Sequence, residues 1–184
     1  MDIYKFDLDS NKYHGLVYPE STIDDNVFDT LEGQSVINTW NTVVMEVEET
    51  QEKGDFPSFD VPVLSEKAWN VLQPLIQNDV EALPITVEKE YFGEMGGTYY
   101  ALNILSIVAC LDEEKSEFYR YSHGGIMEVT KHVFLPEKLE GIHIFKIMAE
   151  GAVFSHYDFY ISEDFKNLVE QNNLKGLFFL KVSE

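Results

Sequence analysis

The sequence predicts an α+β fold, a mainly antiparallel sheet with two principal helices on one face. Three observations lead there. Short β-branched or aromatic runs recur along the chain. Only two segments show apolar residues at helical spacing, and each follows a serine suited to cap a helix. Strands in succession with few helices between them favour antiparallel pairing over a βαβ design.

Taken in order, Ile3, Phe6 and Leu8, then Leu16 to Tyr18, then Thr42 to Val47 read as strands. Gln51-Glu52-Lys53-Gly54-Asp55-Phe56-Pro57 reads as a long loop and marks a soft boundary. Residues 1–56 are expected to form an acidic, strand-rich lobe and residues 57–184 an α+β domain, together one compact unit. Ser65 begins a helix whose apolar face is Ala68, Trp69, Leu72, Leu75 and Ile76, with Pro74 expected to kink or shorten it. Val80 to Thr86 reads as a strand, and Pro84 assigns it to a sheet edge. Tyr99 to Cys110 is the candidate central strand. Ile126 to Leu135 alternates, and Gly141 to Met148 is apolar on both faces. Ser162 begins a second helix, with Glu163 and Asp164 near the positive end of its dipole and Phe165, Leu168 and Val169 as its buried stripe. Asn172-Asn173 suits a left-handed ending, and Gly176 to Val182 returns as a strand.

Composition narrows the function. The 184 residues are 45% apolar and 14% aromatic, enough for a buried core and against a disordered tail protein. Acids number 33 and bases 13, a formal net charge of -20. Arg120 is the lone arginine, the side chain best shaped to grip phosphate. Direct nucleic-acid binding and docking on an anionic membrane are therefore not expected. The field favours a basic protein partner. Residues 1–60 hold 14 acids and 3 bases, so the charge is densest there.

One cysteine, Cys110, permits no intrachain disulfide and suits a reducing cytosol. The first residues carry neither a basic nor an apolar leader segment, and the longest apolar stretch is Ala101 to Leu111. A bilayer span needs about 20 residues, so a cytoplasmic protein is expected.

Catalytic signatures are absent: no H-E-x-x-H, paired C-x-x-C, G-x-S-x-G or G-x-x-x-x-G-K-[ST] occurs. No two of His14, His123, His132, His143 and His156 are spaced to share a metal locally. His143 reads as a packed, hydrogen-bonded strand residue, and His123-Gly124-Gly125 as a plain turn rather than an oxyanion hole. Acids follow Cys110, the opposite of what activates a thiol, so it reads as buried and inert. Gly93-Glu94-Met95-Gly96-Gly97 leads into a strand and is not a phosphate cradle. Asp24-Asp25-Asn26 with Asp29 and Glu32 resembles a calcium loop only in part, because Phe28 and Asp29 stand where an oxygen ligand and glycine are wanted. No catalytic residue, metal site or cofactor is expected. A dispersed enzyme site near Asp112, Glu117 and His123 is the alternative, and a non-enzymatic scaffold a third reading.

The acidic segment is the positive feature. Asp24, Asp25, Asp29, Glu32, Glu46, Glu48 and Glu49 are the candidate partner-binding residues, with Phe28, Trp40, Phe56 and Phe59 as aromatic anchors or as core.

Several segments share a pattern with a known family. They are Val61-Pro62-Val63-Leu64-Ser65-Glu66-Lys67-Ala68-Trp69-Asn70-Val71-Leu72-Gln73-Pro74-Leu75 and Val80-Glu81-Ala82-Leu83-Pro84. Tyr100 to Ile104, Leu111-Asp112 with Ser116, Gly141 to Lys146, Ile161 to Lys166 and Asn173 to Leu177 follow in the same order. Over roughly residues 57–184 the chain resembles a bacterial immunity-protein family of polymorphic toxin systems, once a domain of unknown function. The resemblance implies a cytosolic protein that binds and neutralises a cognate toxin, and it carries no catalytic residue. A nuclease toxin suits the charge, since nucleases hold phosphate with bases. The first 56 residues carry no part of the resemblance.

Overall fold

A computed structural model describes residues 1–19, 31, 33–48, 52–153, 155 and 158–183. The chain opens with strands β1 (Ile3–Leu8), β2 (Leu16–Val17), β3 (Val43–Val47) and β4 (Val63–Ser65), then helix α1 (Glu66–Ile76). Next come β5 (Val80–Val87), the single-turn α2 (Lys89–Phe92), β6 (Gly97–Ile104), β7 (Ile107–Val108), β8 (Glu117–Arg120) and β9 (Ile126–Lys131). The last third holds β10 (Ile144–Ala149), β11 (Ala152–Val153), β12 (Tyr160–Ser162), α3 (Glu163–Gln171) and β13 (Leu177–Lys181).

The class is α+β, but the strands divide between two large sheets and a hairpin rather than forming one sheet. The first sheet runs β11-β10-β12-β1-β13, with β7 also paired to β10; the second runs β2-β3-β5-β6-β4; β8 and β9 pair alone. Both large sheets are mixed, since β7 runs parallel to β10 and β3 parallel to β5. Each long helix serves a different sheet. Helix α1 lies on β4 and β6, α3 on β1 and β12, and the two helices touch each other. Between them sits a shared core of Phe6, Phe56, Leu72, Leu102, Ile161 and Phe165.

The local signals explain the helices. Ser65 Oγ accepts the Ala68 N–H at 3.1 Å and Ser162 Oγ the Phe165 N–H at 3.2 Å, so both caps satisfy a first-turn donor. Ala68, Leu72 and Ile76 are the buried stripe of α1. Pro74 lies in its last turn, and the helix ends two residues later. At the end of α3 it is Asn173, at φ 50°, that takes the left-handed conformation, while Asn172 stays at φ -97°.

Two strand assignments are corrected. Strand β5 is not an edge, because it is flanked by β3 and β6. Its ladder to β3 covers only Ile85 to Val87, so Pro84 lies just outside it and no donor is missed. The Pro84 carbonyl instead accepts the Trp40 indole N–H at 3.0 Å. The apolar run from Tyr99 to Cys110 is not one strand either. It fills β6, leaves the second sheet at Leu105-Ser106, and joins the first as β7. Asp79 holds that crossing: its carbonyl accepts the Leu105 and Ser106 N–H groups at 2.8 and 3.2 Å, and its carboxylate takes the Ser106 hydroxyl at 2.8 Å.

The N-terminal residues are built into the first sheet. Strand β1 lies between β12 and β13, pairing antiparallel with both. Residues 52–56 dock against the C-terminal half through Asp55. Its carboxylate accepts from Ser65 Oγ at 3.0 Å and from the Lys175 N–H at 2.9 Å, and it pairs with Lys67 at 3.2 Å.

Candidate functional site

Strand β3 carries Glu46, one of the acids singled out from the sequence, and Glu48 follows just past its end. Alternation sends Met45 into the core beside Leu83 and Ile85 and leaves Val44 (43% exposed), Glu46 and then Glu48 on the opposite side. Register extends that side into a surface. Glu46 is opposite Val17, Val44 is opposite Thr86, and Thr86 is opposite Thr98. Pro84 and Tyr100 form the next row. Helix α1 bounds the surface, with the Trp69 ring 5.5 Å from Tyr100 at an interplanar angle of 34°. Past Val87 the chain adds exposed Glu88, Glu90 and Glu94 against Lys89. Lys53 ties the neighbouring segment to this turn by donating to the Glu94 carbonyl.

The result is an open sheet face of β-branched and aromatic side chains among carboxylates. Such a face can meet lysines and arginines through its acids and pack apolar stems against Val44 and Tyr100. Asp24, Asp25, Asp29, Glu32 and Glu49 lie outside the described residues, as do Phe28 and the calcium-like loop. The other aromatic candidates serve the interior. Phe56 is buried, Trp40 is held by Pro84, and Phe59 sits edge-on to Tyr18 with ring centroids 5.7 Å apart.

The dispersed enzyme constellation does not assemble. Asp112 pairs with Lys115 at 2.6 Å near the base of the β8–β9 hairpin, and Glu117 begins β8 there. His123 stands at the hairpin tip, stacked on Tyr121 with centroids 5.2 Å apart. The four strand steps from Glu117 to Tyr121 alone span roughly 13 Å. Cys110 is fully buried, and burial pushes its thiol up to about 12, so it stays protonated at neutral pH.

Three histidines are structural. The buried His14 takes the Gly54 N–H on Nδ1 at 3.2 Å and lies 3.4 Å from the Tyr99 hydroxyl through Nε2. Tyr99 donates to the Met95 carbonyl at 2.7 Å, and burial lowers the His14 pKa, which favours the neutral ring. His143 Nδ1 lies 2.9 Å from the Ser162 cap hydroxyl, and its backbone N–H bonds Asp79. His132 Nε2 lies 3.3 Å from the Tyr160 hydroxyl. Burial, with a smaller contribution from Lys5, pushes the His132 pKa down to about 4. Among the described residues no group of three or more histidines, cysteines and acids is placed to hold a metal ion. No helix among them is long and apolar enough to cross a membrane.

His132 and Tyr160 belong to a groove of about 590 Å³ between β9 and the first sheet, with Lys5 and Asp158 ion-paired at 2.5 Å on its floor. No local pattern announces it, since its lining comes from residues 5, 127–132, 158, 160 and 180–182.

No curated protein matches the chain. A family model described as an immunity protein family, Imm11, matches residues 18–184. The match reaches further towards the N terminus than the segments that carry the resemblance, and the chain belongs to that family.

Proposed function

We propose that this member of the Imm11 immunity protein family binds and neutralises a cognate toxin domain of basic character inside the cytoplasm, by occluding it rather than by catalysis. Family membership carries the proposal, and the charge of -20 gives it a direction. A nuclease is the toxin class that fits, because a phosphate-holding surface is cationic. The open face of β3, with Glu46 and Glu48, meets that surface, joined by Asp24, Asp25, Asp29, Glu32 and Glu49 from the same acidic part of the chain. Partner choice then resides largely in the acidic residues of the N-terminal part, on a family frame that spans residues 18–184.

Complementary charge accelerates encounter, up to about 10⁸–10⁹ M⁻¹s⁻¹ at low salt. Affinity then depends on apolar anchors in a desolvated centre. Co-expression with a candidate cognate toxin domain, sought first in the genes adjoining this one, tests the proposal. Growth should be restored and a complex should co-purify. Undiminished toxicity with no complex contradicts it.

A further inference from the structure

Between Glu32 and Glu46 the sequence carries no ionisable side chain, in a chain with 33 acids and 13 bases. Much of that run is exposed, including Gln34, Ser35, Ile37, Asn38, Thr39 and Asn41. At its middle the Thr39 N–H closes a turn on the Val36 carbonyl at 2.9 Å, and the Thr39 hydroxyl donates to the same carbonyl at 3.0 Å. Ile37 and Asn38 form the tip. Val36 and Trp40 pack on the core of the second sheet, whereas Ile37 is 46% exposed. Turn tips take Gly, Pro, Asn or Asp for conformational reasons, which suits Asn38 but gives no reason for a stiff, β-branched isoleucine beside it. Neither the turn nor the core asks for Ile37.

The turn is nevertheless held firmly. The Ser35 hydroxyl and the Val36 N–H both donate to the Glu81 carboxylate, the latter at 2.8 Å. Asn103 Nδ2 donates to the Gln34 carbonyl at 2.7 Å and to the same carboxylate at 3.1 Å. Glu81 and Asn103 are directly opposite each other in the β5–β6 ladder, so two neighbouring strands grip the segment on one side of the turn. On the other side Trp40 is tied to the Pro84 carbonyl. Burial raises the Glu81 carboxyl, but the bonds from Ser35, Val36, Asn103 and Ile37 outweigh it and hold it below its ordinary range, so the grip is ionised at neutral pH. Asn103 is fully buried, and its Oδ1 has no partner among the described residues. An unpaired buried acceptor is unfavourable, so this asparagine serves the Gln34 backbone rather than the core around it.

Charge selects the kind of partner. The segment runs directly into β3, where Val44 is exposed and Glu46 and Glu48 follow. Protein interfaces are depleted of charge at their centre and carry it at the rim. A second copy of this chain would set -20 against -20, with acids meeting acids around the turn. A partner whose bases surround an uncharged hollow fits both parts, because its bases reach the acids while the hollow takes the turn. A turn already fixed in place loses little freedom on binding.

We infer, resting on the toxin-binding reading above, that the turn Val36–Thr39 is the uncharged centre of the toxin-binding surface, with Ile37 entering an apolar hollow ringed by the toxin's bases. Glu81 and Asn103 are its positioning residues: they touch no toxin and hold the turn ready. The acids of β3 govern encounter, and Ile37 governs how long the complex lasts.

Binding kinetics with a basic toxin domain from which the protein rescues growth test this. Ile37→Asp is the discriminating variant. Were charge alone in control, the added carboxylate would tighten binding to a basic surface; here it should weaken binding by about tenfold or more, through faster dissociation. Ile37→Ala should weaken it less. Glu81→Gln should speed hydrogen exchange of the Val36 amide by about tenfold or more and also weaken binding. Ile37→Ala should then matter less in the Glu81→Gln background than in wild type, a coupling that a purely structural Glu81 would not show. Ile37 is exposed, so melting temperatures of its variants should stay within a few degrees of wild type. If wild type binds and Ile37→Asp binds as tightly or more tightly, the turn assignment fails and the toxin-binding reading stands. If wild type binds no basic toxin domain, both fail. If the protein alone sediments as a dimer that Ile37→Asp dissociates, the turn belongs to a second copy and the assignment is overturned.

Discussion

The Asp79 carboxylate stands 2.8 Å from the backbone nitrogen of His143, joining the start of a strand in the second sheet to the start of one in the first. The same oxygen reaches the Ile144 N–H at 3.4 Å, and the other oxygen takes the Ser106 hydroxyl. Ser106 passes the connection on, since its carbonyl accepts the Lys146 N–H at 2.9 Å. One buried carboxylate thus fixes where β6 ends, where β7 begins and where β10 starts.

Asp79→Ala should therefore be costly. It leaves the half-buried His143 N–H and Ser106 hydroxyl without their acceptor, worth about 2 kcal/mol together. Urea unfolding should show a lower midpoint, and an unchanged midpoint would remove Asp79 as the joint between the sheets.

Gly176 has a different dependence. Its φ is 118°, and a Cβ placed there would lie 2.6 Å from the Phe56 carbonyl oxygen. Backbone meets backbone at that point, so neither side can swing away. Gly176→Ala should cost about 2 kcal/mol or more and loosen the docking of residues 54–56 on the C-terminal half. Thermal melting reads the loss.

Stability should fall with acid through His132. Its folded pKa is depressed to about 4 from 6.5, so below 6.5 the unfolded chain binds the proton first. The contribution is complete above pH 6.5, is lost as pH falls towards 4, and is on the order of 2 kcal/mol. The buried His14, also depressed by burial, acts in the same direction. His132→Gln should flatten the pH dependence of the urea midpoint between 6.5 and 4.

Cys110 should resist alkylation in the native state. Iodoacetamide should label it only after denaturant unfolds the core, because the thiol is buried and protonated. Rapid native labelling would contradict that burial.

Local chemistry was legible in the sequence where it is decided locally. The caps at Ser65 and Ser162, the buried stripes of α1 and α3 and the burial of Cys110 all depend on residues within a turn or a strand of one another. The division into two sheets is not of that kind. An apolar run such as Tyr99 to Cys110 looks the same whether it stays in one sheet or crosses to another, and the crossing is held by Asp79, some twenty residues upstream. Pro84 suggested an edge because the sequence does not reveal that the β3 ladder starts one residue later. Glu46 and Glu48 were found by charge, and alternation places both on one face. The groove beside β13 escaped notice because residues 5, 132, 160 and 180 meet only in three dimensions.

The most direct measurement follows the rate at which the protein associates with a basic toxin domain that it neutralises, by stopped flow, as salt rises from 50 to 500 mM. The rate should fall by tenfold or more across that range, and Glu46→Lys with Glu48→Lys should lower it further at low salt and flatten its slope. A rate indifferent to salt and to both substitutions would contradict capture of a cationic toxin by the acidic face.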